Sequence, residues 1–233
     1  MPNVHDDVLV SAPRIRTGHD VIDADLTVPP NAHGIVVFAH GSGSSRRSSR
    51  NRAVAAKLQQ AGFATLLADL LTHQEEVVDE RTAEFRFDIE LLARRVVDAT
   101  DWIGHEPEIH GLPIGYFGAS TGAAAALVAA ARRADVARAV VSRGGRPDLA
   151  GAALPSVLAP TLLIVGGKDA EVIQLNRAAM SEMVAPTVLE IIPGATHLFP
   201  EPGALDQVTR LARDWFSKYL IPLAAPPRHP AGW

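Results

Sequence analysis

Short runs of apolar, largely β-branched residues recur along the chain, and between most of them lie longer stretches whose apolar residues return every third or fourth position. The short runs fall near residues 34–39, 63–69, 112–117, 138–142, 160–165 and 187–192 and predict strands. Most are hydrophobic without alternation, as strands covered on both faces are. The longer stretches predict helices near 48–61, 84–104, 121–133, 171–182 and 203–219. The last puts Leu205, Val208, Leu211, Ala212, Trp215 and Phe216 on one face, an aromatic stripe suited to core packing. Two further segments at about 7–12 and 21–28 predict an opening antiparallel pair. Regular alternation of strand and helix gives an α/β chain with a mostly parallel sheet, because each parallel connection needs a crossover helix. No internal repeat or linker divides it, so a single domain is expected over 1–221, followed by a proline-rich tail at 222–233.

Composition narrows the chemistry. At 233 residues and 47% hydrophobic content the chain can bury a core without disulfides or metals. Its formal charge of -4 is too small to suggest a nucleic-acid partner. The absence of cysteine removes thiolate metal sites and a cysteine nucleophile. The amino terminus has neither the basic region nor the apolar core of a signal peptide, and no apolar run approaches the ~18 residues of a membrane span. The expectation is a cytoplasmic monomer or homodimer that acts on a small molecule, without membrane or cofactor.

The most informative segment is Gly118-Ala119-Ser120-Thr121-Gly122, a G-x-S-x-G pattern between an apolar run and an alanine-rich helix. A strand that turns sharply into a helix holds its serine in a strained backbone, and glycines on both sides let neighbouring chains approach. Such a serine stands exposed above the sheet edge, with the free N–H groups of the following helix facing it. Its hydroxyl needs an imidazole to take the proton and a carboxylate to orient that imidazole.

In the chain order Ser, Asp or Glu, His that accompanies this elbow, only His197 and His229 lie downstream. His229 sits in the proline-rich tail, which leaves His197 as the base. Asp169 follows the strand pattern of 160–165 and two glycines, at the sheet edge where the elbow lies. Two competing readings remain: Asp169 only caps the next helix, or Glu171 is the acid. Upstream, Gly41-Ser42-Gly43 follows another buried strand. The backbone N–H groups of Ser42 and Thr121 are the expected oxyanion hole, with Gly41 and Gly43 as adjoining substrate-binding positions. A phosphate loop is disfavoured, because Arg46 stands where the third glycine of G-x-G-x-x-G belongs and no G-K-[ST] follows.

With these pieces in order, the chain resembles the α/β-hydrolase fold over roughly residues 5–220, and within it the small, lidless dienelactone-hydrolase-like enzymes. The resemblance is carried by His40-Gly41-Ser42-Gly43-Ser44-Ser45, Gly118-Ala119-Ser120-Thr121-Gly122, Gly166-Gly167-Lys168-Asp169 and Gly194-Ala195-Thr196-His197-Leu198-Phe199. Similar domains also occur fused to phosphoribosyltransferase domains. Dienelactone hydrolases proper use a cysteine nucleophile, so this chain departs from them at Ser120. The resemblance implies a serine hydrolase of carboxylic esters or lactones that forms an acyl-enzyme and needs no metal or organic cofactor. An acyltransferase or perhydrolase with the same triad, and a non-catalytic binding module, are the alternatives. The acidic run at 70–83 is expected to be a solvated loop that could rim the pocket. Arg143, at a strand end, could meet a substrate carboxylate or form a buried ion pair.

Overall fold

The structure, a computed structural model, describes residues 7–221. The expected tail at 222–233, and His229 with it, lie outside them. Among the described residues nine strands form one sheet: β1 (Leu9–Ser11), β2 (Arg14–Thr17), β3 (Asp20–Val28), β4 (Gly34–Ala39), β5 (Phe63–Ala68), β6 (Ile114–Ala119), β7 (Ala137–Arg143), β8 (Thr161–Gly166) and β9 (Thr187–Ile192). Their order is β1-β3-β5-β4-β6-β7-β8-β9, with β2 paired to β3. Pairing is parallel from β5 through β4, β6, β7 and β8 to β9, and antiparallel where β3 meets β1, β2 and β5. The opening pair is therefore a three-strand arrangement. Its extra strand, β2, contributes Ile15, which is buried with Ile22 of β3 against one face of the sheet.

The described residues form six helices, α1 (Ser49–Gln60), α2 (His73–Thr82), α3 (Ile89–Ile103), α4 (Thr121–Arg132) and α5 (Ala170–Glu182) between strands and α6 (Ala204–Leu220) after the last. A 3-10 segment, Pro147–Ser156, lies between β7 and β8. α1 and α6 cover one face, where Val54, Leu58, Val208, Ala212 and Phe216 pack on Val36, Phe38, Phe117 and Val141. α3 and α4 cover the other. Both faces of the central strands are thereby dry, which accounts for the unbroken burial of β4, β5, β6 and β8. The alanines of α4 explain its depth: ten consecutive residues from Thr121 to Ala130 are buried, and small side chains let a helix lie close to its neighbours.

The stretch expected as an acidic loop is largely helix. Thr72 and Glu75 form a reciprocal capping box that starts α2, and α2 stops at Ala83, whose φ of 57° is left-handed. The next helix consequently begins at Ile89 rather than Glu84. The carboxylates of the run are partly internal: Asp79 is buried, and Glu75 binds the buried Arg95 at 2.7 Å.

Candidate active site

Ser120 occupies the junction of β6 and α4 with φ 51° and ψ -123°, a conformation that costs a non-glycine residue on the order of 1–3 kcal/mol. The flanking glycines are required by space. A Cβ on Gly118 would sit 2.4 Å from Ala123 Cα, and one on Gly122 would sit 2.3 Å from the carbonyl oxygens of Ala39 and His40. Ser120 is half-buried, and its Oγ makes no hydrogen bond among the described residues. The sharp turn is tied down instead through the main chain. The Ser120 N–H donates to the Arg143 carbonyl at 3.3 Å, and the Arg146 N–H donates to the Ser120 carbonyl at 3.1 Å.

Asp169 and His197 meet directly. His197 Nδ1 lies 2.6 Å from Asp169 Oδ2; an ionised carboxylate only accepts, so Nδ1 carries the hydrogen and Nε2 is left as an acceptor. Asp169 stands at the N-cap of α5, yet its side chain makes no capping bond. That separates it from the capping reading, and Glu171 makes no hydrogen bond to His197 among the described residues. The loop bearing His197 is fixed on both sides. Glu201 accepts from the Thr196 N–H at 3.0 Å and the Thr196 hydroxyl at 2.7 Å, and Phe199 buries its ring in the core. Gly166 permits the close approach of this loop to β8, because a Cβ there would lie 2.6 Å from the Ala195 carbonyl oxygen. His197 and Ser120 border the same short turn: the main chain of His197 lies against Gly144, between the Arg143 and Arg146 contacts of Ser120.

Ser42 and Thr121 are neighbours, their hydroxyl oxygens 3.0 Å apart. Ser42 Oγ–H donates to the Arg86 carbonyl at 3.3 Å, so the hydrogen between the two hydroxyls belongs to Thr121. Among the described residues the backbone N–H groups of Ser42 and Thr121 have no acceptor. Thr121 is the first residue of α4, where intrahelical partners are missing in any case. Gly41 lies against the turn at Ser120, where an added Cβ would sit only 2.9 Å from Ser120 Cβ, whereas Gly43 is open and has a positive φ of 62°.

Three residues whose part is not evident from the sequence hold this loop. His40, buried at the end of β4, donates from Nδ1 to the Gly41 carbonyl at 3.0 Å and accepts the Leu70 N–H at Nε2, 2.9 Å away. Burial pushes its pKa below the ordinary imidazole value, against the opposing pull of the Gly41 carbonyl and the Asp69 charge. Asp79 gathers the N–H groups of Phe85 and Arg86 and the Arg86 Nε, each at 2.8 Å. Burial works to raise its pKa, but these donors outweigh it and hold the carboxyl below the ordinary range. Arg86 is thus the post on which Ser42 leans. The Thr72–Glu75 spacing is a readable sign of the helix that carries Asp79.

A cavity of about 120 Å³ opens between this loop and α2, lined by Ser42, Thr121, Leu71, Glu76, Asp79 and Arg86 among others. Ser120, Asp169 and His197 do not line it; Thr121, the residue after Ser120, does, together with Ser42. Arg143 points elsewhere. It is buried on the α1 face and has no carboxylate partner among the described residues, so the buried ion pair expected as one of its two roles is not formed. Among the described residues no cluster of three or more His, Asp or Glu side chains is placed to hold a metal, and no helix is long and apolar enough to cross a membrane.

Residues 22–220 match the dienelactone hydrolase family. Relatives in two Mycobacterium tuberculosis strains, both provisionally named phosphoribosyl transferases, are 61% identical over 195 residues, which is 84% of this chain and 43% of theirs. The chain therefore spans less than half the length of these curated relatives. Among solved structures, a dienelactone hydrolase from Anabaena variabilis is 57% identical with a TM-score of 0.90, covering 93% of this chain and 100% of its own. Est1E from Butyrivibrio proteoclasticus shares the fold at 18% identity and a TM-score of 0.74, covering 89% of this chain and 98% of its own. The α/β-hydrolase fold and the extent of these matches lead to one conclusion: the chain belongs to the dienelactone hydrolase family.

Proposed function

We propose that the protein is a serine hydrolase of carboxylic esters or lactones, in which Ser120 forms an acyl-enzyme, His197 moves the proton and Asp169 orients His197. The observation that carries this reading is the 2.6 Å contact between Asp169 and His197 Nδ1, made at the sheet edge that bears the strained Ser120. With Nδ1–H committed to Asp169, Nε2 is the free base. It takes the hydroxyl proton as Ser120 Oγ bonds to the acyl carbon, and the carbonyl π electrons move to oxygen. The resulting oxyanion is received by the N–H groups of Ser42 and Thr121, each such donor being worth about 3 kcal/mol of transition-state stabilisation. The proton on Nε2 then passes to the departing alkoxide. Water, deprotonated by the same nitrogen, attacks the acyl-enzyme and returns Ser120 to its free state.

The matched residues are those of the hydrolase family, so hydrolysis rather than phosphoribosyl transfer is the activity carried over to this chain. Serine in place of a cysteine nucleophile favours the general ester reaction. The test is a series of 4-nitrophenyl esters of increasing acyl length with wild type, Ser120→Ala, His197→Ala and Asp169→Asn. Both alanine variants should lose turnover by several orders of magnitude with the fold intact, and Asp169→Asn should lose about 10⁴-fold if it sets the imidazole tautomer. Near wild-type turnover in Ser120→Ala would end the proposal.

A further inference from the structure

A threonine hydroxyl inside a helix can donate back to the carbonyl one turn earlier, as Thr100 does to Val96 and Thr209 to Leu205, both at 2.8 Å. Thr121 has no such carbonyl behind it, since it is the first residue of α4 and follows the strained Ser120. It is nevertheless only 3% exposed, and a buried hydroxyl needs a partner. Among the described residues that partner is Ser42, 3.0 Å away. Ser42 has one hydrogen to give, and the Arg86 carbonyl, 3.3 Å from its Oγ, can only accept. The hydrogens therefore run in one direction, from Thr121 to Ser42 and from Ser42 to Arg86.

Both ends of this series are anchored. At the far end Asp79 binds the Arg86 N–H and Nε at 2.8 Å each, and the Asp79 carbonyl accepts from Arg86 Nη2 at 2.6 Å. The near end is the start of α4, tied to Ser120. Between them Ser42 stands in a loop that glycine makes soft: Gly41 precedes it, and Gly43 follows with a φ of 62°. His40 Nδ1–H holds the Gly41 carbonyl at 3.0 Å. Because the peptide is planar and trans, that bond aims the Ser42 N–H the opposite way. It fixes a direction, but not how far the Ser42 N–H lies from that of Thr121.

We propose that the two hydroxyls form a clasp, anchored on the Arg86 carbonyl, that sets the spacing of the Ser42 and Thr121 N–H groups, so that both side chains and Arg86 position the oxyanion donors. Its effect on turnover rests on the serine-hydrolase reading, whereas its effect on the order of the loop does not. Donors preset where the oxyanion forms act on the transition state more than on the bound ester. A slack clasp therefore lowers kcat and leaves KM nearly unchanged.

The experiment has two arms. In the first, turnover of 4-nitrophenyl acetate and butyrate is measured for wild type, Thr121→Val, Ser42→Ala, the double variant and Thr121→Ser. Thr121→Val keeps the side chain's shape and removes its hydroxyl. This variant and Ser42→Ala should each lower kcat ~10- to 100-fold, short of the ~10²- to 10³-fold that follows outright loss of a donor, with KM within about threefold of wild type. The double variant should lose no more than the more impaired single one, as two halves of one device do. Thr121→Ser, which keeps the hydroxyl, should recover most of the loss. Wild-type kcat in Thr121→Val, a loss expressed in KM, no recovery in Thr121→Ser, or additive losses in the double variant would overturn the clasp. So would a loss in Thr121→Val with Ser42→Ala unimpaired, because the Thr121 hydroxyl would then serve the oxyanion directly.

In the second arm, hydrogen exchange of the Ser44 amide, which donates to the Gly41 carbonyl at 3.2 Å, is followed by NMR. Exchange should quicken about fivefold or more in Thr121→Val and in Ser42→Ala, but not in Thr121→Ser; equal rates in all of them contradict the clasp. Hydrolysis of neither ester by wild type would defeat the serine-hydrolase reading alone, with exchange still deciding the clasp. Ser42→Ala provides the answer if Thr121→Val does not fold.

Discussion

The two flanks of the site are built on opposite charge, and they treat it differently. On the α2 side Asp79 is answered by Arg86, Glu75 by Arg95, and Asp69 by Arg46. On the α1 side Arg143 and Arg50 are left without carboxylates among the described residues, and three of their nitrogens are buried without acceptors. Matched charges of the first kind act as fasteners: they fix α2, the Arg86 segment and, through the Arg86 carbonyl, Ser42. Unmatched charges of the second kind make no ion pair, and Arg143 holds α1 only through its hydrogen bond to Asn51.

Substitutions that neutralise one charge on each flank should therefore have opposite effects on stability. Asp79→Asn leaves Arg86 without its counter-charge and is expected to destabilise by about 3 kcal/mol, as when one partner of a buried pair is removed; denaturant unfolding checks it. Because the folded-state pKa of Asp79 lies below its unfolded value, this contribution is complete above about pH 4 and is lost as pH falls through the folded value. Arg143→Met removes a charge that has no counter-charge and replaces it with an apolar chain, so stability should hold or rise by about 1 kcal/mol. A loss as large as that of Asp79→Asn would place Arg143 among the fasteners and dissolve the contrast.

The loop between the flanks has its own dependence on pH. His40 is neutral in the fold, accepting the Leu70 N–H at Nε2, and protonation there would set two donors against each other. Its folded pKa lies below the unfolded one, so the unfolded chain binds the extra proton first. Stability is complete above about pH 6.5 and declines as pH drops below it, by about 1.4 kcal/mol for each unit that separates the two pKa values. In His40→Gln, unfolding midpoints followed from pH 7.5 to 5 should lose this component. The smallest effect belongs to the α2 cap, where Thr72→Ala should cost about 1 kcal/mol through loss of the bond to the Glu75 N–H.

How far the sequence discloses this arrangement depends on whether a feature is local. The strands are legible because each is a short apolar run, and Ser120 because the glycines at 118 and 122 are demanded by contacts within a few ångström. Asp169 and His197 follow from chain order and strand ends. β2 is hard to see, since four residues with two arginines carry little apolar signal. α2 reads as a loop because its carboxylates look solvated until Arg86 and Arg95, distant in sequence or beyond a turn, are seen to face them. The bareness of Arg143 is likewise a fact about its neighbours, which no single stretch of sequence contains.

Covalent labelling probes at once the proposed nucleophile, Ser120, and its activation by His197. A phosphonofluoridate or sulfonyl fluoride imitates the acyl centre but leaves an adduct that water cleaves slowly. Peptide mapping by mass spectrometry should place one adduct on Ser120, and His197→Ala should slow its formation greatly although the serine is untouched. An adduct on Ser42, Ser44 or Ser45 would move the nucleophile to the glycine-serine loop, and a labelling rate at Ser120 indifferent to His197 would remove the histidine from the mechanism.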